Sequence, residues 1–116
     1  MKLLSKIDAD IIEILESIMD NLMTGSSEID HAKHTQDFSA RIKHHLSPEQ
    51  LAQICNDYQS RWGHFTTREF VYLFRRADSI AVVWKQHVSK IPDELVAEAV
   101  FKEENGRIVV DHAFVF

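Results

Sequence analysis

The sequence predicts an α+β fold in which N-terminal helices pack on a curved four-stranded antiparallel meander. Two observations carry that prediction. From Phe65 to Phe116, four runs of β-branched and aromatic residues are separated by three turn signals. Before residue 64, apolar residues recur instead at helical steps of three and four. Helices gathered on one side of an antiparallel sheet define the α+β class. At 116 residues the chain is read as a single domain, 1–116, with a helical part over 1–63 and a sheet over 64–116.

The first helix is expected over residues 6 to 23, where Ile7, Ile11, Ile14, Leu15, Ile18 and Leu22 form one stripe between acidic residues. Ser5 with Asp8 reads as its capping pair, and Gly25 as the left-handed residue that ends it. Ile12, Met19 and Met23 widen the stripe. From Ser27 and Asp30 a weaker helical period runs through Ile29, Ala32, Phe38, Ile42 and Leu46, and Thr35 and Ser39 divide it into two short pieces. The clearest start is Ser47-Pro48-Glu49-Gln50, an N-cap, a proline in the first turn and a closing glutamine. Leu51, Ile54, Cys55, Tyr58 and Trp62 then line one face up to Gly63.

In the sheet, Asn105-Gly106 specifies a type I′ hairpin, because both central positions need positive φ. Counting outward without interruption pairs Phe101 with Val110, Ala99 with His112 and Ala97 with Phe114. The covered face is then Leu95, Ala97, Ala99, Phe101, Ile108, Val110, His112 and Phe114. The other face carries Val96, Glu98, Val100, Lys102, Val109, Asp111, Ala113 and Val115. The first hairpin turns through Ala77-Asp78-Ser79. A three-residue loop is preferred there because it sets Phe70, Tyr72 and Phe74 opposite Gln86, Trp84 and Val82, keeping the large rings together. Pro92 lies outside the ladder, between the second and third strands.

Hydrophobic residues make up 45% of the chain and charged residues 27%, as in a folded soluble protein. A net charge of −5 argues against nucleic acid, which needs a clustered basic surface. No apolar run approaches the ~20 residues of a membrane span. The acidic first helix is not read as a signal peptide, so a cytoplasmic location is expected. Cys55 is alone, which excludes an internal disulfide and reads as a buried thiol.

The order of elements, the segment SPEQLAQICNDYQSRWGHF leading into the sheet and the closing VVDHAFVF resemble the cystatin-like, or nuclear-transport-factor-2-like, superfamily. The resemblance implies a curved sheet wrapped around a helix as a cone, a cavity between sheet and helices, and dimerisation through the outer sheet face. The superfamily holds enzymes and non-enzymes alike, so the fold names no reaction. One member, ketosteroid isomerase, uses an aspartate base with a tyrosine and a protonated aspartic acid; here Asp111 is expected to face away from the covered side.

Five residues are the candidates for a ligand site. His112 is expected on the covered face beside Ala97 and Ala99, where two small neighbours leave room and burial would keep the imidazole neutral. Tyr58, Tyr72, Phe74 and Trp84 supply apolar walls, with polar tips on Tyr58, Tyr72 and Trp84; the same rings could equally form a packed core. Asp30, His31, His34 and Asp37 share helical spacing, but nothing completes a four-ligand set, so no metal and no cofactor is expected. No nucleophile elbow or phosphate-cradling glycine loop is present. Three functions remain open: a dimeric protein binding a small apolar molecule in its cavity, a cofactor-independent isomerase, lyase or hydrolase using His112 with Tyr72 as donor, and an interaction module using the outer sheet face. A homodimer is expected, because Val96, Val100, Val109, Ala113 and Val115 leave that face apolar.

Overall fold

A computed structural model describes all 116 residues. A single 3-10 turn, Lys2–Ser5, precedes four helices: α1 (Asp8–Ser27), α2 (His31–His34), α3 (Ala40–Lys43) and α4 (Pro48–Trp62). Four strands follow, β1 (Phe65–Arg75), β2 (Ile80–Val88), β3 (Leu95–Glu104) and β4 (Arg107–Val115), paired in sequence order as an antiparallel meander. The α+β architecture is the one expected.

Helix α1 lies along the inner face of the sheet. Ile11, Leu15, Met19 and Leu22 recur at steps of four and three and are buried against Ile80, Val82, Trp84, Ala97, Ala99, Phe101 and Val110. Strand β2 alternates buried and half-buried residues along its whole length, as a central strand with one covered face must. A second, smaller cluster joins Leu51, Cys55 and Tyr58 of α4 to the half-buried Ile29, Leu46, Trp62 and Phe65. The buried core is therefore in two parts.

Local signals were partly as expected. Helix α4 begins with the full capping box: Ser47 accepts from the Gln50 N–H, and the Gln50 side chain accepts from the Ser47 N–H. Ile54, placed on its inner face from the sequence, is exposed instead. Asp30 caps α2 and Ser39 caps α3, the two short pieces anticipated. Ser5 does not cap α1, because its hydroxyl donates to the Lys2 carbonyl within the preceding turn. Gly25 does not end α1 either. The helix continues to Ser27, and the left-handed residue is Ile29, with φ of 54°. Asp30 N–H then closes the turn onto the Gly25 carbonyl at 2.8 Å, folding α2 back over the end of α1.

A β-bulge in one hairpin and a longer loop in the other correct the expected registers. In the second hairpin Asn105 and Gly106 have φ of 53° and 75°, and Phe101 pairs with Val110 as predicted. Asp111 then bulges, so His112 pairs with Val100, Ala113 with Ala99, and Phe114 with Glu98. A one-residue slip reverses every later side chain. Ala113 and Val115 thus face inward, while His112, Phe114 and Phe116 take the outer face. The bulge is held from the strand's free edge, where Val110 exchanges backbone bonds with Asp37 and Ser39, at 2.6 and 2.8 Å. In the first hairpin Arg75 pairs with Ile80, so the loop has four residues, Arg76 to Ser79, and the strand is irregular between Phe70 and Tyr72. The large rings are therefore not kept together: Trp84 points into the core, and Tyr72 and Phe74 point outward.

Candidate ligand cavity

The two parts of the core do not meet completely, and an open cavity of about 730 Å³ lies along their seam. One wall is the end of α1, with Met19, Leu22 and Met23; another is α4, with Leu51, Cys55 and Tyr58. Phe38, Ile42 and Leu46 from the α2–α4 segment close one side, and the inward-facing Ala113 and Val115 of β4 close the other. The volume falls in the range of about 300–1,000 Å³ usual for small-molecule sites, and the walls are mostly apolar.

The polar groups on this lining fall into two sets. At the inner end, Ser26 on α1 and Tyr58 on α4 join hydroxyls at 2.7 Å, with the Cys55 Sγ 3.5 Å from the Ser26 Oγ. The Gln59 amide donates to the Ser26 and Ser27 carbonyls and to the Tyr58 oxygen, tying the ends of the two helices together. Burial pushes the Tyr58 phenol up, against the hydrogen bonds from Gln59 and Ser26, so it stays protonated at neutral pH. Phe65 stacks on its ring at 4.8 Å.

His34 is the other inner group. A carbonyl can only accept, so the 2.9 Å contact between its Nδ1 and the Leu22 carbonyl fixes the proton on Nδ1. Phe38 meets the ring edge-on at 5.2 Å. Nε2 is then the unprotonated nitrogen, an acceptor, and it makes no hydrogen bond within the chain. Burial holds the imidazole below its ordinary 6.5; the Leu22 bond opposes that shift and neighbouring His31 adds to it. The mouth carries ionisable groups in pairs: Arg41 with Asp111 at 3.2 Å, Arg61 with Asp57 at 2.8 Å, and His112 hydrogen-bonded to Glu98 at 3.2 Å.

Of the five residues expected to form a site, only Tyr58 lies on the inner wall. His112 sits at the rim on the outer sheet face, exposed and bonded to Glu98, because the Asp111 bulge reversed it. Asp111, expected to face away, instead reaches the cavity mouth at the bulge, where Ser39, Arg41 and Lys102 surround its carboxylate. Burial works against its ionisation, but those partners outweigh it and lower its pKa. Trp84 is 1% exposed and belongs to the core. Its indole N–H donates to Glu16, and the Arg68 guanidinium lies 5.5 Å from its ring. Tyr72 and Phe74 stand on the outer face, 60% and 48% exposed.

The polar cluster around residue 31 is not brought together as a metal site. Asp30 caps Lys33, His31 bonds the Leu46 carbonyl, His34 bonds Leu22, and Asp37 pairs with Arg107. Sequence reasoning missed His34 as a cavity residue and Ser26 as the partner of Tyr58. A usable signal was present in Gly25: a glycine inside an apolar helical stripe marks a close backbone approach, and the approaching residue is His34.

No protein-family model matches the chain, and no curated protein does. Solved structures do. A designed nuclear-transport-factor-2-like protein superposes with a TM-score of 0.65 at 15% identity, over 90% of this chain and 97% of that one. A protein described as a calcium/calmodulin-dependent protein kinase type II association domain, from Thiobacillus denitrificans, gives 0.62 at 11% identity, over 86% and 91%. A SEC-C motif containing protein from Rhodopseudomonas palustris gives 0.62 at 9% identity, over 85% and 76%. With four helices segregated onto one four-stranded antiparallel sheet, this chain has the nuclear-transport-factor-2-like α+β cone fold.

Proposed function

We propose that this protein binds a small, largely apolar molecule in the seam between its two core clusters, and does so as a homodimer. The supporting observation is the cavity of about 730 Å³, walled by Met19, Leu22, Leu51, Phe38 and Val115 and given polar points at Tyr58 and His34. A small chain normally closes its core to native density. Keeping room there sacrifices packing, which ligand binding would restore.

The dimer rests on the outer sheet face. The pairing rows bring Phe74, Ala81, Val100 and His112 into line, then Tyr72, Val83, Glu98 and Phe114, then Glu69, Lys85, Val96 and Phe116. Phe114 and Phe116 are more than half exposed. Of the residues first expected there, Val96 and Val100 remain; Ala113 and Val115 turned inward, and Val109 is buried. Exposed aromatic rings of this size, with the Glu98–His112 pair set among them, mark an interaction surface. The fold neighbour from Thiobacillus is itself described as an association domain.

The test of binding uses pyrene, an apolar fluorophore with no hydrogen-bonding group. Saturable one-to-one binding to the wild type, weakened about tenfold (about 1.4 kcal/mol) by Ala113→Phe, which fills the cavity, is the expected result. Absence of saturable binding overturns the reading. For the dimer, light scattering should give twice the 13.5 kDa chain mass, and Phe114→Lys should give the monomer. A wild-type monomer mass refutes it.

A further inference from the structure

The chemistry of the unknown ligand is legible in which lining groups are already satisfied. The ionisable groups at the mouth include Arg41, Arg61, Asp57, Asp111, Glu98 and His112, and each of these has an ion-pair or hydrogen-bond partner within the chain. A ligand anion would have to break an existing pair to gain a cation. A ligand cation would have to do the same for a carboxylate. Inside, the Tyr58 and Ser26 hydroxyls satisfy one another. Two histidines are the exceptions: His45, exposed at the rim, whose imidazole has no partner in the chain, and His34, part-buried further in, whose Nδ1–H is committed to the Leu22 carbonyl while Nε2 has no partner in the chain.

From this geometry we infer that the cavity takes a neutral, predominantly apolar molecule carrying a hydroxyl or similar donor, and that His34 Nε2 accepts its hydrogen bond. The inference rests on the cavity reading above and adds the ligand's polarity and orientation. His34 is suited to the task because its position is fixed from several sides. The backbone of α2 is pressed onto Gly25, where even a Cβ would come within 2.5 Å of the His34 nitrogen. The Leu22 carbonyl sets the tautomer and Phe38 holds the ring plane. An acceptor locked in place loses no side-chain freedom when the ligand arrives. A ligand without a donor would leave Nε2 covered and unpaired, which is the basis of discrimination by buried polar groups.

Three pyrene derivatives of nearly one shape decide the matter: 1-pyrenemethanol, its methyl ether, and pyrene-1-carboxylate, each titrated at pH 8 by fluorescence anisotropy against the wild type and His34→Asn. The asparagine amide overlays the Nδ1 side of the ring, so it can keep the Leu22 bond while removing the acceptor. We expect the alcohol to bind about fivefold more tightly than the ether, the worth of one net hydrogen bond, with the carboxylate weakest. In His34→Asn the alcohol should fall to the level of the ether, and the ether should be unchanged. A second readout needs no variant: the His34 Nε2 resonance in long-range proton–nitrogen spectra should move upfield with the alcohol and stay with the ether. Equal binding of alcohol and ether, with no movement of Nε2, overturns the inference while leaving the cavity reading intact. Tightest binding of the carboxylate also overturns it. If neither pyrene nor any derivative binds, the cavity reading fails and this inference fails with it.

Discussion

Replacing Gly25 by alanine sets two physical effects against each other, and the structure decides between them. In a helix interior the substitution is ordinarily favourable by about 0.8–1.0 kcal/mol, because alanine loses less backbone entropy. Gly25 lies inside α1, so helix propensity alone predicts a more stable protein. A Cβ at this position would sit 2.5 Å from the His34 nitrogen and 2.7 Å from its Cα. Both are backbone atoms, with no flexible side chain to swing aside. Helix α2 would have to lift away, breaking the Asp30 N–H bond to the Gly25 carbonyl and the Leu22 to His34 bond. Overpacking of this kind costs about 1–3 kcal/mol, and the lost bonds add about 0.5–1.5 kcal/mol each. Subtracting the propensity gain leaves Gly25→Ala destabilised by about 1–5 kcal/mol. Urea unfolding measures this directly, as a lower midpoint at unchanged slope. A neutral or raised midpoint would refute the close approach of α1 and α2, and with it the fixed position of His34.

Other consequences can be read more briefly. His34 is held below its ordinary 6.5 in the folded chain, so at pH values just under 6.5 the unfolded chain binds the extra proton. Its contribution is full above 6.5 and is lost as pH falls toward the folded value. Wild-type stability should therefore drop on acidification through this window, and thermal melts of His34→Asn should show a shallower drop. Asp111→Ala removes the acceptor of the fully buried Ser39 hydroxyl and of Arg41 at the β4 bulge; it should lower stability by about 1–3 kcal/mol, measured by urea unfolding. Trp84→Phe removes the N–H bonded to Glu16 but no part of the cavity wall. Stability should fall while pyrene affinity stays the same, and a large loss of affinity would return Trp84 to the site.

The meander, its hairpin at Asn105-Gly106 and the α4 capping box were legible because each is a short-range signal with a local physical cause. Positive φ at two adjacent positions demands Asn-Gly, and a serine three residues before a glutamine satisfies two orphan N–H groups at once. Most of the site was not legible, for a reason of the same physical kind. Nothing in Val109-Val110-Asp111-His112 announces that Asp111 drops out of the ladder. Its cause is non-local: the segment Asp37–Ser39 bonds to Val110 from the open edge, and Ser39 and Arg41 take the aspartate. Alternation counted from the turn is reliable only up to the first such irregularity, so Val110 was placed correctly and His112 was not. Tyr72 and Phe74 failed at the turn itself, because a loop of four residues in place of three shifts their partners by one. Tyr58 succeeded because its helix face is set by a capped, uninterrupted run.

That single bulge also explains why the cavity and the apolar outer face occur in one chain. Continued without interruption, β4 would turn His112, Phe114 and Phe116 inward, toward the space now bordered by Met19, Met23 and Tyr58. Two phenyl rings occupy much of a few hundred cubic ångströms, and the seam would close. With Asp111 bulged, the inward positions fall to Ala113 and Val115, which leave room, and the rings move to the outer face beside Val96 and Val83, where they border only the cavity's open edge. One unpaired residue on an edge strand thus sets the volume of the inner site and the hydrophobicity of the outer surface together. The partners of the bulge come from α3 and its cap, Arg41 and Ser39, and Arg41 also stands at the cavity mouth. A change in how Asp111 is held would accordingly be felt on both faces of the sheet, at the cavity wall carrying Ala113 and at the outer surface carrying Phe114.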